Sequence, residues 1–277
     1  MILTPCHLFF LALRGGAMWD SLLRERSSNG CSTTMSGETP MTLGEPAVQD
    51  AVAKFYETRY AGTGFLYHAR VVTEMLQGVK FRDGRFSDKI LDVGCGTGFV
   101  SQLYPNFDVI GIDTSCEMLK RNPYPRLRAA AEALPFPDNH FDWVVCRSLL
   151  HHLEHPSRGL KEMVRVLKPT GHWVCWEPNL SVFNDWIRKL SKMTRRFSHW
   201  HKNFHPHELV RMIQQAGLTI TQRRYHGHIA YPLLGFPDIW NTRLPLWIGR
   251  KLMAVDEWLS TTWLAPTGWA VMVKATK

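Results

Sequence analysis

The chain has 277 residues, of which 45% are apolar and 21% charged, and its formal net charge is +9. This composition is typical of a soluble enzyme with one core, and no run reaches the roughly 18 apolar residues of a membrane-spanning helix. Six cysteines without a Cys-x-x-Cys pair argue against a disulfide framework and predict reduced thiols, as in the cytoplasm.

The first 45 residues differ in composition from the rest of the chain. An apolar run at 8–13 has no Lys or Arg before it and a poor cleavage site after it, which argues against a signal peptide. Residues 27–46 are rich in Ser, Thr, Gly and Pro. We therefore predict a disordered leader over 1–45 and one domain over 46–277.

Two helices are predicted before the first strand. The apolar residues of 47–60 lie at helical spacing on one face, and a second helix is predicted over 65–78.

A glycine-rich turn follows the first strong strand signal. Residues 89–98 read KILDVGCGTG, so Asp92 stands at the carboxyl end of an apolar strand. Gly94, Gly96 and Gly98 supply positive φ angles and let the backbone approach a ligand closely. Ligands of open α/β sheets bind beyond the carboxyl ends of the strands, so this turn predicts a binding site.

The glycine spacing argues against a dinucleotide. A pyrophosphate-binding turn needs Gly-x-Gly-x-x-Gly, whereas the third glycine here comes one position early and Phe99 occupies the expected place. An acid before the first glycine also suits a ligand with an ammonium group better than an anionic pyrophosphate.

Four further motifs follow in order. Residues 109–113 read VIGID, a second apolar strand ending in Asp113, about twenty residues after Asp92, as a ribose-binding carboxylate requires. The segments AEALPFPDNHFD, LLHHL and VLKPTG then occupy 131–142, 149–153 and 166–171.

With the glycine turn, these motifs resemble the class I S-adenosylmethionine (SAM)-dependent methyltransferases. The likeness covers roughly 50–225 and is greatest to the type-11 branch, which includes the enzymes that methylate ubiquinone and menaquinone. It implies a Rossmann-like α/β fold: a seven-stranded, mostly parallel sheet with an antiparallel edge strand and helices on both faces. The strands are expected near 89–93, 108–112, 126–130, 141–147, 171–177, 217–225 and 268–275.

The resemblance also implies the residues that hold SAM. Asp92 would bind the amino group of its methionine part, Asp113 the ribose hydroxyls, and Leu134 would lie beside the adenine. The complete set of expected cofactor-binding residues is Asp92, Gly94, Cys95, Gly96, Gly98, Asp113, Glu132, Ala133, Leu134 and Arg147. Relatives commonly carry Asp where this chain has Ala130, which predicts weaker SAM binding.

The substrate side of the site is predicted from position in the fold. His151 and His152 follow the fourth strand and Glu177 ends the fifth, so they are the candidate catalytic residues, as bases or acceptor-binding groups. Tyr56, Tyr60 and Asn179 are the candidate substrate-binding residues. Helix capping or packing is the alternative role for each histidine and packing that for the two tyrosines, and we expect no metal.

Two insertions, at about 180–204 and 226–266, carry the remaining information. In the first, a helical stripe of apolar residues over 186–202 is accompanied by six cations and no acid. It predicts contact with an anionic membrane surface or lipid, contact with nucleic-acid phosphates, or a lid with a solvated face. The second is apolar and aromatic, which favours a greasy acceptor or a dimer interface.

The leading hypothesis is a cytoplasmic SAM-dependent methyltransferase that acts on a small-molecule or lipid-like acceptor, with peripheral membrane contact. The first alternative is an RNA methyltransferase that uses the basic 186–202 helix. The second is a catalytically silent SAM-binding module, which Ala130 motivates.

Overall fold

A computed structural model of the chain describes residues 49–50, 53, 56–82, 85–180, 204–235 and 244–277. The predicted leader over 1–45 and the basic helix over 186–202 lie outside these residues.

The main sheet has seven strands, as predicted, and a small hairpin of β1 (Phe81–Arg82) and β2 (Arg85–Phe86) precedes it. Its strands are β3 (Lys89–Val93), β4 (Asp108–Asp113), β5 (Arg126–Arg128), β6 (Phe141–Arg147), β7 (Leu167–Pro178), β8 (Thr219–His226) and β9 (Ala270–Thr276). Their order across the sheet is β5-β4-β3-β6-β7-β9-β8. The pairs from β5 to β7 are parallel, and β9 is antiparallel to both β7 and β8. This confirms the predicted fold, with the antiparallel strand inserted next to the edge strand β8.

Seven α-helices have both ends within the described part of the chain. They are α1 (Tyr56–Arg59), α2 (Gly62–Met75), α3 (Phe99–Leu103), α4 (Cys116–Lys120), α5 (Pro156–Val166), α6 (Pro206–Gln215) and α7 (Leu246–Ser260). Single 3₁₀ turns occur at Leu150–His152 and Ala265–Thr267, and a π-helical turn at Tyr231–Gly235. Helix α6 has Pro206 in its first turn and Gly217 beyond its end with φ 89°, as the capping rules predict.

Helices cover both faces of the sheet, because successive residues of a buried strand point to opposite sides. On one face, α2 and α7 pack with Trp143 and Trp176 in one apolar cluster. On the other, the Trp173 indole donates to Met163 Sδ of α5 at 3.4 Å. The carboxyl ends of the parallel strands are thereby left as a crevice between the two layers.

The thiols differ in part from the expectation. Cys95, Cys146 and Cys175 are free and buried, as predicted, whereas Cys116 is disulfide-bonded, which contradicts the expectation of reduced thiols at that position. None of the described helices is long and apolar enough to cross a membrane.

Removing the indole of Trp173 should test how much of the stability this second layer provides. Trp173 is fully buried, so we expect Trp173→Ala to lower the free energy of unfolding by about 3–5 kcal/mol in urea titrations followed by circular dichroism. Trp263→Ala is the matched control, because that side chain is 87% exposed and its loss should change the free energy by no more than about 0.5 kcal/mol. Equal effects of the two substitutions would contradict the assignment of Trp173 to the core.

Candidate active site

The glycine turn after β3 is held against β4 by backbone hydrogen bonds. The N–H groups of Gly94 and Cys95 both donate to the carbonyl of Ile112, at 2.8 and 2.9 Å. Gly94, Gly96 and Gly98 have φ of 76°, 52° and 82°, so all three occupy the left-handed region that favours glycine.

Two of these glycines also leave no room for a side chain. A Cβ at Gly98 would lie 2.3 Å from Asn122 Oδ1, and one at Gly94 would lie 2.9 Å from Leu149 Cδ1. At Gly96, in contrast, a Cβ would meet only Met118 Sδ at 3.9 Å and Tyr56 Cε1 at 4.0 Å. The turn is therefore tightly packed at both ends and more open in its middle.

Asn122 was not foreseen from the sequence. It is buried beneath the turn, donates to Cys95 Sγ at 3.5 Å and accepts from the Tyr124 N–H at 3.0 Å. No local pattern marks it, because Asn122 lies in the connection between β4 and β5 while its partner Cys95 is 27 residues away in the turn after β3.

Two acids flank the turn: Asp92 is buried and Asp113 is half-buried. Burial raises the pKa of Asp92 to about 7, although the nearby Arg147 guanidinium acts to lower it. Asp113 accepts the N–H of Gly96 on Oδ2 and that of Ser115 on Oδ1, both at 2.9 Å. Burial raises the pKa of Asp113 as well, against the lowering effect of these hydrogen bonds. The predicted ammonium-binding and ribose-binding carboxylates are thus brought to the same end of the sheet.

The segment before α1 is tied to this edge through Asp50. Its carboxylate accepts the hydroxyl of Ser115 and the Glu117 N–H, the latter at 3.2 Å, at the start of α4. The sequence analysis missed Asp50, since nothing in its local pattern points to a helix that begins 66 residues later.

Arg147 lies at the end of β6 among aromatic side chains from α1 and α2. Its guanidinium contacts His68 Nδ1 at 3.1 Å and donates to the hydroxyl of Tyr60. The Tyr60 ring stacks on Phe99 with a centroid separation of 4.1 Å, and Tyr56 packs edge-on against Tyr60. The structure therefore brings Arg147 and both predicted tyrosines next to the glycine turn, with His68 as an unforeseen partner.

Glu177 lies beneath the loop that follows β6. Its Oε1 accepts the N–H groups of Leu149 and Leu150, each at 2.9 Å, and Oε2 lies 2.6 Å from His151 Nδ1. Both side chains are buried, and burial raises the pKa of Glu177 to about 7 against the lowering effect of the two backbone hydrogen bonds. Within this loop, the backbone of Ser148 adopts the left-handed conformation, with φ 53°.

The other two predicted residues on the substrate side differ in exposure. His152 is half-buried, and its ring lies 4.0 Å from that of His151. Asn179 is fully buried and donates from Nδ2 to the carbonyls of Pro266 and Gly268, at 3.0 and 2.7 Å. Its amide therefore holds the segment before β9, whereas the His152 side chain is half-buried.

The predicted adenine segment is held by an ion pair of α5. Leu134 is buried, while Glu132 is half-buried and Ala133 exposed. The Leu134 N–H donates to Glu162 Oε2 at 3.0 Å, and its carbonyl accepts from Arg165 Nη2 at 3.0 Å. Sequence reasoning missed Glu162 and Arg165, although their spacing of three residues on a helix is a signal for such a pair.

Comparison with known proteins places this geometry in a family. A family model described as a methyltransferase domain matches residues 91–175. The chain is 32% identical over 192 residues to the demethylmenaquinone methyltransferase of Staphylococcus aureus, covering 57% of this chain and 80% of that protein. The chain spans only about half the length of two other curated relatives. It is 36% identical to an uncharacterized methyltransferase of Schizosaccharomyces pombe, with 34% of this chain and 41% of that protein covered. It is 37% identical to the demethylmenaquinone methyltransferase of Symbiobacterium thermophilum, with 42% of this chain and 51% of that protein covered.

Solved structures show the same fold at low identity. A SAM-dependent methyltransferase of Thermotoga maritima superposes with a TM-score of 0.55 at 17% identity, covering 83% of this chain and 99% of that one. A phosphoethanolamine N-methyltransferase of Haemonchus contortus, bound to S-adenosylhomocysteine, gives 0.56 at 16% identity, covering 82% and 57%.

The chain belongs to the class I SAM-dependent methyltransferases, in the type-11 branch, as the motifs predicted, and SAM is the cofactor of this family. The residues present fit that cofactor. The middle of the glycine turn is open beneath Tyr56, and Asp92 is a buried acid that an ammonium group would stabilise.

Substitutions at two glycines with similar φ angles distinguish the effect of backbone strain from that of steric collision with a neighbouring side chain. Gly98→Ala places a Cβ 2.3 Å from Asn122 Oδ1, so the turn must shift, and we expect SAM affinity to fall by at least about tenfold in calorimetry. Gly217→Ala, at φ 89° with nothing within 4 Å, should cost about 1 kcal/mol of stability and leave SAM affinity within about twofold. If both variants bind SAM equally well, the packing of the turn does not shape the site.

Proposed function

We propose that the chain transfers the methyl group of SAM to a small-molecule or lipid-like acceptor. The observation that carries this proposal is the glycine turn held between the buried Asp92 and the half-buried Asp113, beside the aromatic rings of Tyr56 and Tyr60. Asp92 would hold the amino group of the cofactor and Arg147 its carboxylate, while Asp113 would bind the ribose. The turn residues Gly94, Cys95, Gly96 and Gly98, and the segment Glu132, Ala133 and Leu134, would line the rest.

Bound SAM supplies a methyl group already activated on a sulfonium, so the protein mainly has to orient the acceptor. Among the three predicted catalytic residues, His152 is the one that is not fully buried, and we assign it the removal of a proton from the acceptor. The burial of Glu177 and His151 supports a positioning role, in which Glu177 fixes the loop and His151 supports the His152 ring. The contacts of Asn179 likewise support a positioning role over direct substrate binding.

An apolar acceptor is supported by the described part of the second insertion. Tyr231 and Leu234 of the π-helical turn and Met253 of α7 belong to the apolar cluster that includes Trp176 at the end of β7. The relatives named as demethylmenaquinone methyltransferases add a second, independent support. The RNA alternative depends on the 186–202 helix, outside the described residues, and the silent-module alternative depends on Ala130.

The pH dependence of SAM binding should report on Asp92. Its carboxyl is protonated in much of the folded protein below the pKa of about 7, and it must lose that proton to attract an ammonium group. We therefore expect the SAM affinity of the wild type to fall roughly tenfold as the pH is lowered from 8 to 6. Asp92→Asn should bind more weakly at pH 8 and show no such fall.

The control for this experiment is Asp108→Asn, an exposed acid at the opposite end of β4. It should reproduce the wild-type profile, and all three proteins share any titration of SAM itself. A fall of equal size in Asp92→Asn and the wild type would remove Asp92 from the cofactor site.

The acceptor class is tested by incubating the full chain with methyl-labelled SAM and total lipid or total RNA extracts. Label in the lipid fraction is expected, and label in RNA alone would overturn the lipid-like proposal. Incorporation into neither extract, with SAM still bound, favours the silent module. With the labelled fraction as substrate, His152→Ala should lower kcat by about 100-fold with the Kd for SAM unchanged, whereas the exposed His155→Ala should match the wild type.

A further inference from the structure

We propose that the outer face of α7, with the loop that follows it, binds the surface of an anionic lipid bilayer. The face consists of large apolar side chains and two cations, and it lies outside the crevice described above. The proposal does not depend on methyl transfer.

The apolar residues of α7 are divided between two faces. Gly249 and Met253 face the protein and are buried. Trp247, Val255 and Trp258 recur at helical spacing on the other side and are 61%, 42% and 64% exposed. Leu246 (51%) and Trp263 (87%) extend this exposed surface at its two ends. Three exposed tryptophans thus lie within seventeen residues, a concentration of apolar surface that is typical of an interaction site.

The charges of α7 are divided in the same way. The cations Arg250 and Lys251 are exposed among the tryptophans, and Lys251 Nζ lies 5.3 Å from the centre of the Trp247 ring. Of the two acids of α7, one is buried, and the other is half-buried and held in ion pairs. Asp256 is buried and accepts the N–H groups of Ile229 and Ala230 at 2.7 and 3.1 Å.

Glu257, the second acid, pairs with Arg70 of α2 and with Arg224 of β8, the latter at 2.6 Å. The outer face of α7 therefore carries apolar side chains and cations, while one acid of the helix is buried and the other is neutralised by ion pairs.

This combination fits lipid headgroups better than the other partners of an apolar patch. Tryptophan concentrates where hydrocarbon meets water, because its ring is apolar and its N–H needs a polar partner. Cations beside it attract anionic headgroups. A symmetric contact between two copies would instead bring this surface, with Arg250 and Lys251, against an identical cationic surface. Since no described helix can span a membrane, the contact would be interfacial.

The surface adjoins the cover of the cofactor site. A Cβ on Gly249 would lie 2.7 Å from Thr63 Cγ2, so the first turns of α7 pack directly on the start of α2. Thr63 is three residues beyond Tyr60, whose hydroxyl accepts a hydrogen bond from the Arg147 guanidinium. If the proposed function holds, a lipid-like acceptor would approach the site from the bilayer next to this helix.

The test is co-flotation of the full chain with phosphatidylcholine vesicles, with and without phosphatidylglycerol. We expect binding to the anionic vesicles and at least about tenfold weaker binding by the triple variant Trp247→Ala, Trp258→Ala, Trp263→Ala. Lys251→Glu should also weaken binding by about tenfold. Arg211→Glu, the same change at an exposed position of α6, is the matched control and should stay within about twofold of the wild type.

Three outcomes would overturn the proposal. The triple variant could bind vesicles as the wild type does, so that another segment carries the contact. The wild type could fail to bind vesicles while the triple variant changes the oligomeric state, which would make the face a contact between copies. RNA could bind the wild type and lose its affinity in the triple variant. Calorimetry with SAM separates these results from failure of the proposed function, because the triple variant should bind SAM as the wild type does.

Discussion

Two acids that burial makes costly to ionise lie at the ends of neighbouring strands, and the rest of the site is organised around them. Asp92 lies near the end of β3 and Asp113 ends β4. Burial raises the pKa of Asp92 and of the neighbouring Cys95 thiol, and the charge of Asp113 acts in the same direction on both because like charges repel. Within the described residues, compensation comes from Arg147 and from backbone N–H groups. A ligand that brings its own positive charge would stabilise both acids, which is why this turn suits an ammonium-bearing cofactor and not a pyrophosphate.

The loops around these acids depend on one another through a single carboxylate further along the sheet. Glu177 at the end of β7 holds the N–H of Leu149, and the Leu149 side chain occupies the space where a Cβ on Gly94 would lie. The strained backbone of Ser148 is held by its N–H, which donates to the carbonyl of Trp176 at 2.7 Å. Glu177 therefore shapes the cofactor turn without reaching it.

The sequence was sufficient for the sheet and the glycine turn because both follow from local patterns. Buried apolar runs predict the parallel strands, and the positive φ angles at Gly94, Gly96 and Gly98 are what a tight strand-to-helix turn requires. The sequence predicts that α2 begins at residue 65, whereas in the structure it begins at Gly62. Gly62 and Gly64 are weak helix formers, so packing rather than helix propensity determines where this helix begins.

Contacts between distant segments could not be predicted in the same way. Asp50 caps a helix of another part of the chain, and Asn122 is brought under the turn by a crossover. Position along a strand also does not reveal how a side chain uses its hydrogen bonds. Glu177 and Asn179 lie at the carboxyl end of β7, where the sequence predicts them, yet their polar atoms contact the backbone of neighbouring loops.

The ion pairs behind α7 explain how its outer face is held in one orientation. Arg224 of β8 pairs with Glu74 of α2 at 2.8 Å and with Glu257 of α7 at 2.6 Å, so three elements meet at one guanidinium. Burial lowers the pKa of the adjacent His226 to about 3, with the nearby Arg224 acting in the same direction, so this histidine stays neutral and adds no charge to the cluster. Ion pairs of this kind contribute little net stability, but a rotation of α7 would break all of them at once, and so they fix its register. The same α2 carries His68, whose Nδ1 lies 3.1 Å from the Arg147 guanidinium, so α7 packs on the helix that also contacts Arg147 beside the glycine turn.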